Sequence, residues 1–597
     1  MSSREIGPTP FVGFSIRVVN TAESDDLQQR TLLEEWECGP RTDPLHWNAT
    51  MRLTPVRLFD LVFATLAAIV LLAHPDGLLA AEPGVGTAPP PVPVASAADS
   101  RASRAYQAAM REGPLAVEAF LEDFPKGADL HFHLGAGVYA ETLIRVAAED
   151  KLCIDPGRDE FARDDQHKAL KEPCAPPLVP ASELNGSNLT EKEQDLYDRV
   201  VDAFSMRNFV PTPSYSGHDQ FFSTFDRFGS LDKSHTGQWI DEITRRADAE
   251  NNQYLELMHT PTFDHARSIA KELGFNPDLA QMRQALLDHG LRDEIAGDRK
   301  EVREAIASRN QIQHCGTPQG ARACRVQVRF IYQVLRASAP EQVFAQTLLG
   351  FETVEQAIEQ GSDDWVGINF VQPEDYMVAM RDYTLHMKMV EYLHSVYPKV
   401  HITLHAGELA PGMVPPEGMK FHIRQAIEIG HAERIGHGVD VMYEDDAKGL
   451  LQEMAKKHVM VEINLSSNEG ILGISDDRHP FQYYRAAHVP VALSTDDQGV
   501  SRIDLAHEYV RAANDYHLSY EDLKQLSRTG MEHDFLPGES LWVAPDVFSV
   551  PVATCRGQLL GAAKPSAACR RFLDANEKAA AQWELERRFR EFEAKFQ

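Results

Sequence analysis

Short apolar runs alternate with longer amphipathic segments along most of this chain. Eight runs have the composition of buried β-strands, and they cover residues 127–134, 254–259, 326–334, 365–371, 400–408, 434–441, 459–468 and 489–497. Most of the segments between them carry apolar residues at helical spacing, as residues 382–398 do. Because strands that alternate with helices pair in parallel, the pattern predicts an α/β fold of the (β/α)8 TIM-barrel type over residues 101–545. A doubly wound open sheet is the alternative, but it typically has a Gly-rich turn after an early strand, and no GxGxxG sequence occurs there.

Two segments add to this regular pattern. Residues 150–215 form an insertion after the first predicted strand, and within it Thr190 and Glu193 have the spacing of a helix capping box. The insertion is interpreted either as a lid or rim over the barrel mouth or as a docking surface for a partner. Residues 300–325 are expected to form an irregular loop.

The C-terminal extension, residues 546–597, ends in an amphipathic segment. Its apolar stripe consists of Leu585, Phe589, Phe592 and Phe596. The stripe predicts a helix that packs against the outside of the barrel. A contact between the subunits of an oligomer is the alternative.

The N-terminal region has the features of an export signal. Arg52 and Arg57 precede an apolar run at 61–72, and small residues follow as far as residue 81, so residues 51–81 are typical of a secretory signal sequence. Residues 1–50 are expected to be an upstream extension or a disordered acidic leader, and 82–100 a Pro/Ala-rich linker. The pattern predicts an exported protein, periplasmic or secreted. A membrane-tethered N-terminus is the alternative, although the apolar run is shorter than the roughly 20 residues that a membrane span requires.

Six of the seven cysteines fall into three couples that are close in the sequence. The couples are Cys153 with Cys174, Cys315 with Cys324, and Cys555 with Cys569. None of them has CxxC spacing, which argues against a zinc ribbon or a thioredoxin motif. In an exported protein the expected outcome is three local disulfide bonds.

The charge of the chain excludes one class of partner. Its 89 acidic and 59 basic residues leave a formal net charge of −30. Such a chain repels phosphate backbones, so nucleic acid is not an expected ligand. A small neutral or cationic molecule meets no such barrier.

Polar residues that can bind a metal fall at the ends of several predicted strands, which is where a barrel of this type carries its chemistry. They are His131 and His133 on the first strand, His405 and Glu408 on the fifth, His437 on the sixth, and Asp496 and Asp497 on the eighth. Residues two apart on a strand point to the same face, so His131 and His133 can reach one ion. Three imidazoles and one carboxylate suit a single Zn²⁺ ion with a position left for water, which predicts ligands His131, His133, His405 and Asp496. Glu408, His437 and Asp497 then remain as acid or base groups. Each residue alone could simply cap a strand end.

These motifs resemble the adenosine deaminase family. The resemblance rests on HFHL at 131–134, HAGE at 405–408, RIGHGVDV at 434–441 and STDDQG at 494–499, which follow one another in the family's order. GHDQFFSTFDRF at 217–228 and VGINFVQPED at 366–375 are similar to two further family segments. The signal sequence and the insertion resemble the exported branch of the family, which includes the adenosine deaminase-related growth factors.

The resemblance implies a reaction and a role for each motif residue. The reaction is hydrolytic deamination of adenosine, 2′-deoxyadenosine or both, to inosine or 2′-deoxyinosine and ammonia. His131, His133, His405 and Asp496 would hold one zinc ion. Glu408 would protonate the purine N1, His437 would orient the attacking hydroxide, and Asp497 would contact N7. Gly367 would donate its backbone N–H to N3.

Further residues are predicted to contact this small-molecule purine nucleoside. Phe221 and Phe225, together with Phe222, are expected to close over the purine, with core packing as the alternative. Ser467, in a segment that departs from the family's usual form, is a predicted ligand contact. Gly135 departs as well, because the family typically has at this position an Asp that contacts the ribose 5′-hydroxyl. The resemblance therefore leaves adenosine and 2′-deoxyadenosine both open.

Two other functions stay open at this point. One is that of another metal-dependent amidohydrolase, which would not need Glu408 to protonate a ring nitrogen. The other is that of a secreted binding or signalling protein on a deaminase scaffold. The HxE…PCxxC signature of zinc cytidine deaminases is absent from the sequence.

Overall fold

The computed structural model describes residues 97–231, 233–362 and 364–596, which belong to one compact unit. The predicted leader at 1–50 and signal sequence at 51–81 lie outside the described residues. Residues 82–96 of the predicted linker also lie outside the described residues. The last four residues of the linker, 97–100, belong to a helix that begins at Ala97.

Eight parallel strands form the centre of the molecule. In chain order the strands are β1 (Gly127–His133), β2 (Cys153–Asp155), β3 (Glu160–Phe161), β4 (Val179–Pro180), β5 (Asn252–His259), β6 (Gln327–Leu335), β7 (Trp365–Val371), β8 (His401–Ala406), β9 (Arg434–His437), β10 (Met460–Ile463) and β11 (Val491–Leu493). The central sheet runs in the order β1-β5-β6-β7-β8-β9-β10-β11, so each strand pairs with the next one along the chain. This is the strand order of the predicted TIM-type barrel.

The sheet closes on itself through residues just beyond the last strand. Phe132 of β1 forms a parallel bridge with Asp496, and the backbone N–H of Asp496 donates to the carbonyl of His131 at 2.8 Å. The backbone N–H of His133 in turn donates to the carbonyl of Asp496 at 3.1 Å. The predicted eight-stranded barrel is confirmed, and its closure brings the first and last polar motifs of the chain together.

Helices surround the barrel. In the described part of the chain they are α1 (Ala97–Glu112), α2 (Pro114–Leu121), α3 (Ala140–Glu149), α4 (Glu191–Ala203), α5 (Gly217–Phe228), α6 (Thr236–Ala249), α7 (Asp264–Leu273), α8 (Leu279–Asp288), α9 (Ile295–Ile312), α10 (Pro340–Glu359), α11 (Met377–Val396), α12 (His422–Glu428), α13 (Ala447–Lys457), α14 (Leu465–Leu472), α15 (Phe481–Ala486), α16 (Gln498–Ser501), α17 (Leu505–Tyr516), α18 (Tyr520–Glu532), α19 (Ala567–Ala575) and α20 (Glu577–Glu593). None of these helices combines the length and the apolar composition that crossing a membrane requires.

The late strands are shorter than the sequence pattern predicts. The run at 434–441 leaves the sheet after His437, and the run at 459–468 leaves it after Ile463. The second half of the run at 459–468 belongs instead to α14, which begins at Leu465. The expected loop at 300–325 is also wrong in its first half, since α9 extends to Ile312.

The insertion after β1 packs against the rim of the barrel. It contains a small antiparallel sheet of β2, β3 and β4, braced by a Cys153–Cys174 disulfide bond. The predicted capping box opens α4, where Glu193 N–H donates to Thr190 Oγ1. The rings of Phe161 and Phe204 lie 4.9 Å apart, and Phe204 contacts Phe228 of α5. These contacts place the insertion against α5, and its role as a rim or as a docking surface stays a prediction.

The C-terminal helix packs on the barrel surface. Leu585, Phe589 and Phe592 of α20 are buried, and Phe592 lies edge-on to Phe120 of α2 with ring centroids 5.2 Å apart. The packing interpretation of the apolar stripe is therefore confirmed. Two further disulfide bonds have the predicted partners, Cys315 with Cys324 and Cys555 with Cys569.

Candidate active site

Four predicted metal ligands meet at one end of the barrel. His131 Nε2 lies 3.1 Å from His405 Nε2, and His133 Nε2 lies 3.2 Å from the same atom. Asp496 Oδ1 is 3.1 Å from His133 Nε2 and 3.6 Å from His131 Nε2. All four side chains are buried, and their ligand atoms lie within 4.8 Å of one another. Three imidazole nitrogens and a carboxylate oxygen this close together form a suitable donor set for Zn²⁺.

The three histidine rings are oriented by partners that the sequence reading missed. Each Nδ1 faces a side-chain oxygen, namely Glu462 Oε2 at 2.6 Å from His131, Gln333 Oε1 at 3.3 Å from His133 and Asn369 Oδ1 at 2.7 Å from His405. An Nδ1–H that donates to such an oxygen leaves the Nε2 lone pair free for a metal. These partners lie on β10, β6 and β7. Their only sequence signal is a polar residue inside an apolar strand.

Glu462 belongs to a buried charged network beneath the cluster. Its Oε1 lies 2.7 Å from Nε of Arg434 and accepts a hydrogen bond from Thr403 Oγ1 at 2.8 Å. Burial raises the pKa of Glu462, but the charge of Arg434 and the hydrogen bond from His131 outweigh it, so the pKa lies below its ordinary value. Glu462 is therefore an ionised acceptor that strengthens the hydrogen bond from His131.

Asp496 is held by Ser467, which was predicted to contact the substrate. Ser467 Oγ donates to Asp496 Oδ2 at 2.7 Å, and Ser467 does not line the cavity. The structure therefore places Ser467 behind a predicted metal ligand rather than on the cavity wall. Burial raises the pKa of Asp496, but the hydrogen bonds with His131 and His133 hold it well below its ordinary value.

Glu408 and Asp497 face the cluster as buried carboxyl groups. Burial, reinforced by the negative charges of Asp496 and Glu374, raises the pKa of Glu408 well above its ordinary value. Burial also raises the pKa of Asp497 well above its usual range, with His133 opposing and Asp496 reinforcing the shift. Burial thus favours the protonated form of both groups, in which each can donate a proton.

His437 completes the site at the end of β9. Its Nε2 lies 3.9 Å from Asp496 Oδ2, and its Nδ1 lies 3.6 Å from Glu408 Oε1. Burial lowers the pKa of His437 to about 3, although the charge of Asp496 opposes the shift. The ring is therefore neutral, and the position of its single proton decides what it can do.

A chain of hydrogen bonds places that proton on Nε2. The backbone N–H of Phe481 donates to His479 Nδ1 at 3.2 Å, so the proton of His479 is on Nε2. His479 Nε2 donates to Asn468 Oδ1 at 3.1 Å, which turns the Asn468 amide nitrogen toward His437 Nδ1 at 3.0 Å. Since Nδ1 of His437 accepts this hydrogen bond, its Nε2–H points toward the metal-ligand cluster.

The cluster lies in a cavity of about 530 Å³ with aromatic walls. Phe221 and Phe225 of α5 line it as predicted, and so do Gly135, Glu408 and Asp497. The aromatic side chains on the wall are Phe221, Phe222, Phe225, Phe228, Trp239 and Tyr376. A cavity of this size with apolar walls and a few convergent polar groups suits a flat organic ligand.

The structure does not bring Gly367 to this cavity. Gly367 is the third residue of β7, and a Cβ added to it would meet the carbonyl of His401 and the ring of Phe535. Gln372, just beyond the other end of β7, lines the cavity instead, with φ of 88°. None of the hydrogen bonds in the described part of the chain uses the backbone N–H of Gln372. This left-handed conformation is rare outside glycine, and a hydrogen bond from Ala337 N–H to the Gln372 side chain at 2.8 Å supports it.

Comparison with known proteins points to one family. A family model described as adenosine deaminase matches residues 242–541, which is half of the chain. An adenosine deaminase of Escherichia coli O1:K1 / APEC is 39% identical over 140 residues, covering 23% of this chain and 39% of that protein. An adenosine deaminase of Clostridium perfringens is 32% identical over 139 residues, with the same shares of the two chains. The chain thus spans about two fifths of the length of the curated relatives it matches.

A solved structure also resembles the fold. The apo structure of the N6-methyl-AMP deaminase from Arabidopsis thaliana has a TM-score of 0.45 to this chain at 21% identity. The match covers 70% of this chain and 94% of that one. The family match begins in α6, so β1 with His131 and His133 precedes it. Barrel closure nevertheless joins these two histidines to His405 and Asp496, which lie inside the matched segment.

Proposed function

This chain belongs to the adenosine deaminase family, and on that premise we propose that it is a zinc-dependent hydrolase that deaminates adenosine, 2′-deoxyadenosine or both. One observation carries the proposal. A buried proton donor, Glu408, lies beside four metal-ligating side chains in a single aromatic-walled cavity. Deamination of a purine needs both, because an aromatic carbon is a poor electrophile until the adjacent ring nitrogen is protonated.

The donor set fits zinc. The Nδ1 groups of His131, His133 and His405 all face oxygen acceptors, so three Nε2 lone pairs and one oxygen of Asp496 converge on the same point. Zinc bound there would supply a water molecule of lowered pKa as the nucleophile near neutral pH. One zinc ion per chain is therefore part of the proposal.

The protein's own groups then bind and polarise the ring. Glu408, whose protonated form is favoured by burial, donates to N1 and draws electron density away from C6. Asp497, whose pKa burial also raises, donates to N7, and its buried Oδ1 has no hydrogen-bond partner among the described residues. The Nε2–H of His437 stabilises negative charge that develops on the oxygen at C6. Gln372, in place of Gly367, presents the backbone N–H proposed for N3.

The cavity favours a nucleoside over a nucleotide. Four carboxyl groups line it, and Lys233 is the one lysine or arginine among the described residues that line it. Lys233 already donates to the Thr260 carbonyl at 2.6 Å and lies 3.6 Å from Glu301. A phosphate group would therefore find its one basic neighbour in the described lining already engaged, whereas a neutral purine nucleoside would meet aromatic faces.

The region around Gly135 supports a permissive sugar site. Gly135 lines the cavity, and a Cβ added at this position would have no atom within 4 Å. The space that the family's Asp would fill is therefore open. We propose that this openness leaves the 5′-hydroxyl side of the sugar loosely held, which is compatible with both the ribose and the 2′-deoxyribose form.

Export from the cytoplasm is also proposed, on the strength of the three disulfide bonds. Disulfides persist in oxidising compartments and are rare in cytosolic proteins. The periplasm or the extracellular space is the proposed location.

The test is a deamination assay with the full chain. Adenosine, 2′-deoxyadenosine, adenine and AMP are added separately, and the fall in ultraviolet absorbance is followed with and without a chelator. Glu408→Gln is the matched variant, because it keeps the shape of the side chain and removes its acidic proton. We expect turnover of the two nucleosides that is lost on chelation and in the variant.

Other outcomes would redirect or refute the proposal. Preference for AMP would refute the argument from cavity charge. Turnover that survives in Glu408→Gln would refute the role of Glu408 as the proton donor to N1. Bound zinc without turnover of any purine would refute the deaminase proposal and favour a binding or signalling role.

A further inference from the structure

The backbone turn that carries Glu408 is hydrogen-bonded to the carboxylate of Glu374, which has no part in the proposed reaction. The backbone N–H of Gly407 donates to Glu374 Oε1 at 3.0 Å, and the N–H of Glu408 donates to Glu374 Oε2 at 2.8 Å. Glu374 lies in the connection between β7 and α11 and is 1% exposed. Both oxygens of one buried carboxylate thus hold two consecutive peptide groups of this turn.

The opposite side of the turn is held as well. The Gly407 carbonyl accepts backbone N–H groups from Val439 at 2.8 Å and from Asp440 at 3.1 Å. Gly407 has φ of 79°, and a Cβ added to it would lie 2.5 Å from Asp440 Oδ1. The peptide group between Gly407 and Glu408 is therefore hydrogen-bonded through both its carbonyl and its N–H. No larger residue fits at position 407.

Glu374 is itself fixed by His422. His422 Nδ1 lies 2.5 Å from Glu374 Oε1, and the His422 ring stacks on Tyr383 with centroids 3.8 Å apart and planes 3° from parallel. The Tyr383 hydroxyl donates to the His422 carbonyl at 2.9 Å. All three side chains are buried. Burial raises the pKa of Glu374, but the neighbouring His422 and Arg336 outweigh it and lower the pKa to about 2, so the acceptor is ionised.

We propose that Glu374, locked by His422, is a positioning residue that aims Glu408 at the reacting ring. Glu374 does not itself line the cavity, and it acts through the backbone of residues 407 and 408, in addition to its charge, which raises the pKa of Glu408. The inference rests on the proposed function, because the value of aiming Glu408 depends on its role as proton donor. A misplacement of about 1 Å at a reacting group can cost roughly 100-fold in rate.

The first test separates positioning from binding. Glu374→Gln keeps the volume of the side chain but leaves one oxygen where two backbone N–H groups and His422 need acceptors. We expect kcat for adenosine to fall about 100-fold, with KM changed less than about threefold, since ground-state contacts persist. Equal zinc content in variant and wild type excludes loss of the metal as the cause. A KM effect as large as the kcat effect would overturn the proposal.

A matched control is available in the same barrel. Glu294 also accepts two consecutive backbone N–H groups, those of His265 at 2.9 Å and Ala266 at 3.1 Å, but at the start of α7. Glu294→Gln makes the same chemical change away from the turn at 407–408. We expect its kcat to equal that of wild type. An equal loss in both variants would mean that the effect is general destabilisation, which would overturn the proposal.

A double-mutant cycle tests whether Glu374 acts through Glu408. In a Glu408→Gln background the acid is already gone, so Glu374→Gln should lower kcat no further. Independent, multiplicative losses would show that Glu374 acts by another route and would overturn the inference. If Glu374→Gln fails to fold, Glu374→Asp replaces it in the cycle, since it keeps the charge and withdraws the carboxylate from the turn.

Hydrogen exchange decides the question without a substrate. We expect the amides of residues 407 and 408 to exchange at least about tenfold faster in Glu374→Gln, because each loses a charged acceptor. Wild-type protection of these amides in the variant would overturn the inference. Faster exchange in the variant of a protein that does not deaminate adenosine would refute the proposed function. It would still show that Glu374 holds the turn at residues 407 and 408.

Discussion

The amide of Asn468 links two histidines, and its orientation decides which nitrogen of His437 carries the proton. His479 Nε2 donates to Asn468 Oδ1 at 3.1 Å, and Asn468 Nδ2 donates to His437 Nδ1 at 3.0 Å. Asn468→Asp keeps the shape of the side chain and replaces the donor nitrogen by an acceptor oxygen. We expect this acceptor, once ionised, to outweigh Asn464 Nδ2, which also faces His437 Nδ1 at 3.3 Å, and to draw the His437 proton to Nδ1, so that no N–H faces the reacting oxygen.

The size of the effect follows from the strength of the new hydrogen bond. A hydrogen bond to an ionised acceptor contributes about 1.5–3 kcal/mol. Since about 1.4 kcal/mol corresponds to a factor of ten, this bias leaves roughly 1–10% of the molecules with the proton on Nε2. We expect kcat for adenosine to fall about ten- to 150-fold, with a small change in KM.

The assay compares kcat at mildly alkaline pH, where the introduced carboxyl group is ionised, and follows the His437 ring nitrogens by NMR. The control is Asn252→Asp, which introduces the same carboxyl group at another fully buried asparagine, at the start of β5. A large loss in both variants would point to the cost of burying a carboxylate. A proton found on Nδ1 in Asn468→Asp with kcat within about twofold of wild type would refute the role given to the Nε2–H of His437.

Three further predictions follow from individual contacts. Phe225→Ala, which removes an aromatic wall of the cavity, should raise KM for adenosine more than it lowers kcat; unchanged kinetics would reject closure over the purine. Glu462→Gln, which removes the charged partner of His131, should weaken zinc binding about 10- to 100-fold in competition with a chelator, and wild-type affinity would contradict this. Asp546 is 2.8 Å from both His458 Nδ1 and His533 Nε2, and although burial raises its pKa, hydrogen bonds from His533 and His458 lower the pKa below its ordinary value. A lowered pKa stabilises the folded state above the unfolded pKa, so Asp546→Asn should cost about 1–3 kcal/mol of unfolding free energy at neutral pH. That difference should shrink as the pH falls below about 4, and urea unfolding at neutral and acidic pH would check both statements.

Sequence alone was sufficient for the barrel and for the four side chains that the structure brings together as a possible metal site. Apolar runs of strand length separated by helical segments admit few folds, because strands buried on both faces and joined by helices must pair in parallel. His131, His133, His405 and Asp496 stand out as a set, because each alone could cap a strand end but the four together supply the donors that one metal ion needs. The order of strands along the chain then places these residues at the same end of the barrel.

Tertiary structure alone decided which residues support these ligands and which face the cavity. Glu462, Asn369 and Gln333 orient the histidines from strands that pattern analysis treats as core, and Gln372 rather than Gly367 reaches the cavity. Periodicity reports which face of an element is buried, but it does not report the register between strands or the partner across the barrel. Contacts such as Asn468 with His437, or Glu374 with Glu408, join residues that are distant in sequence or held by loops, so they arise only once the barrel has closed.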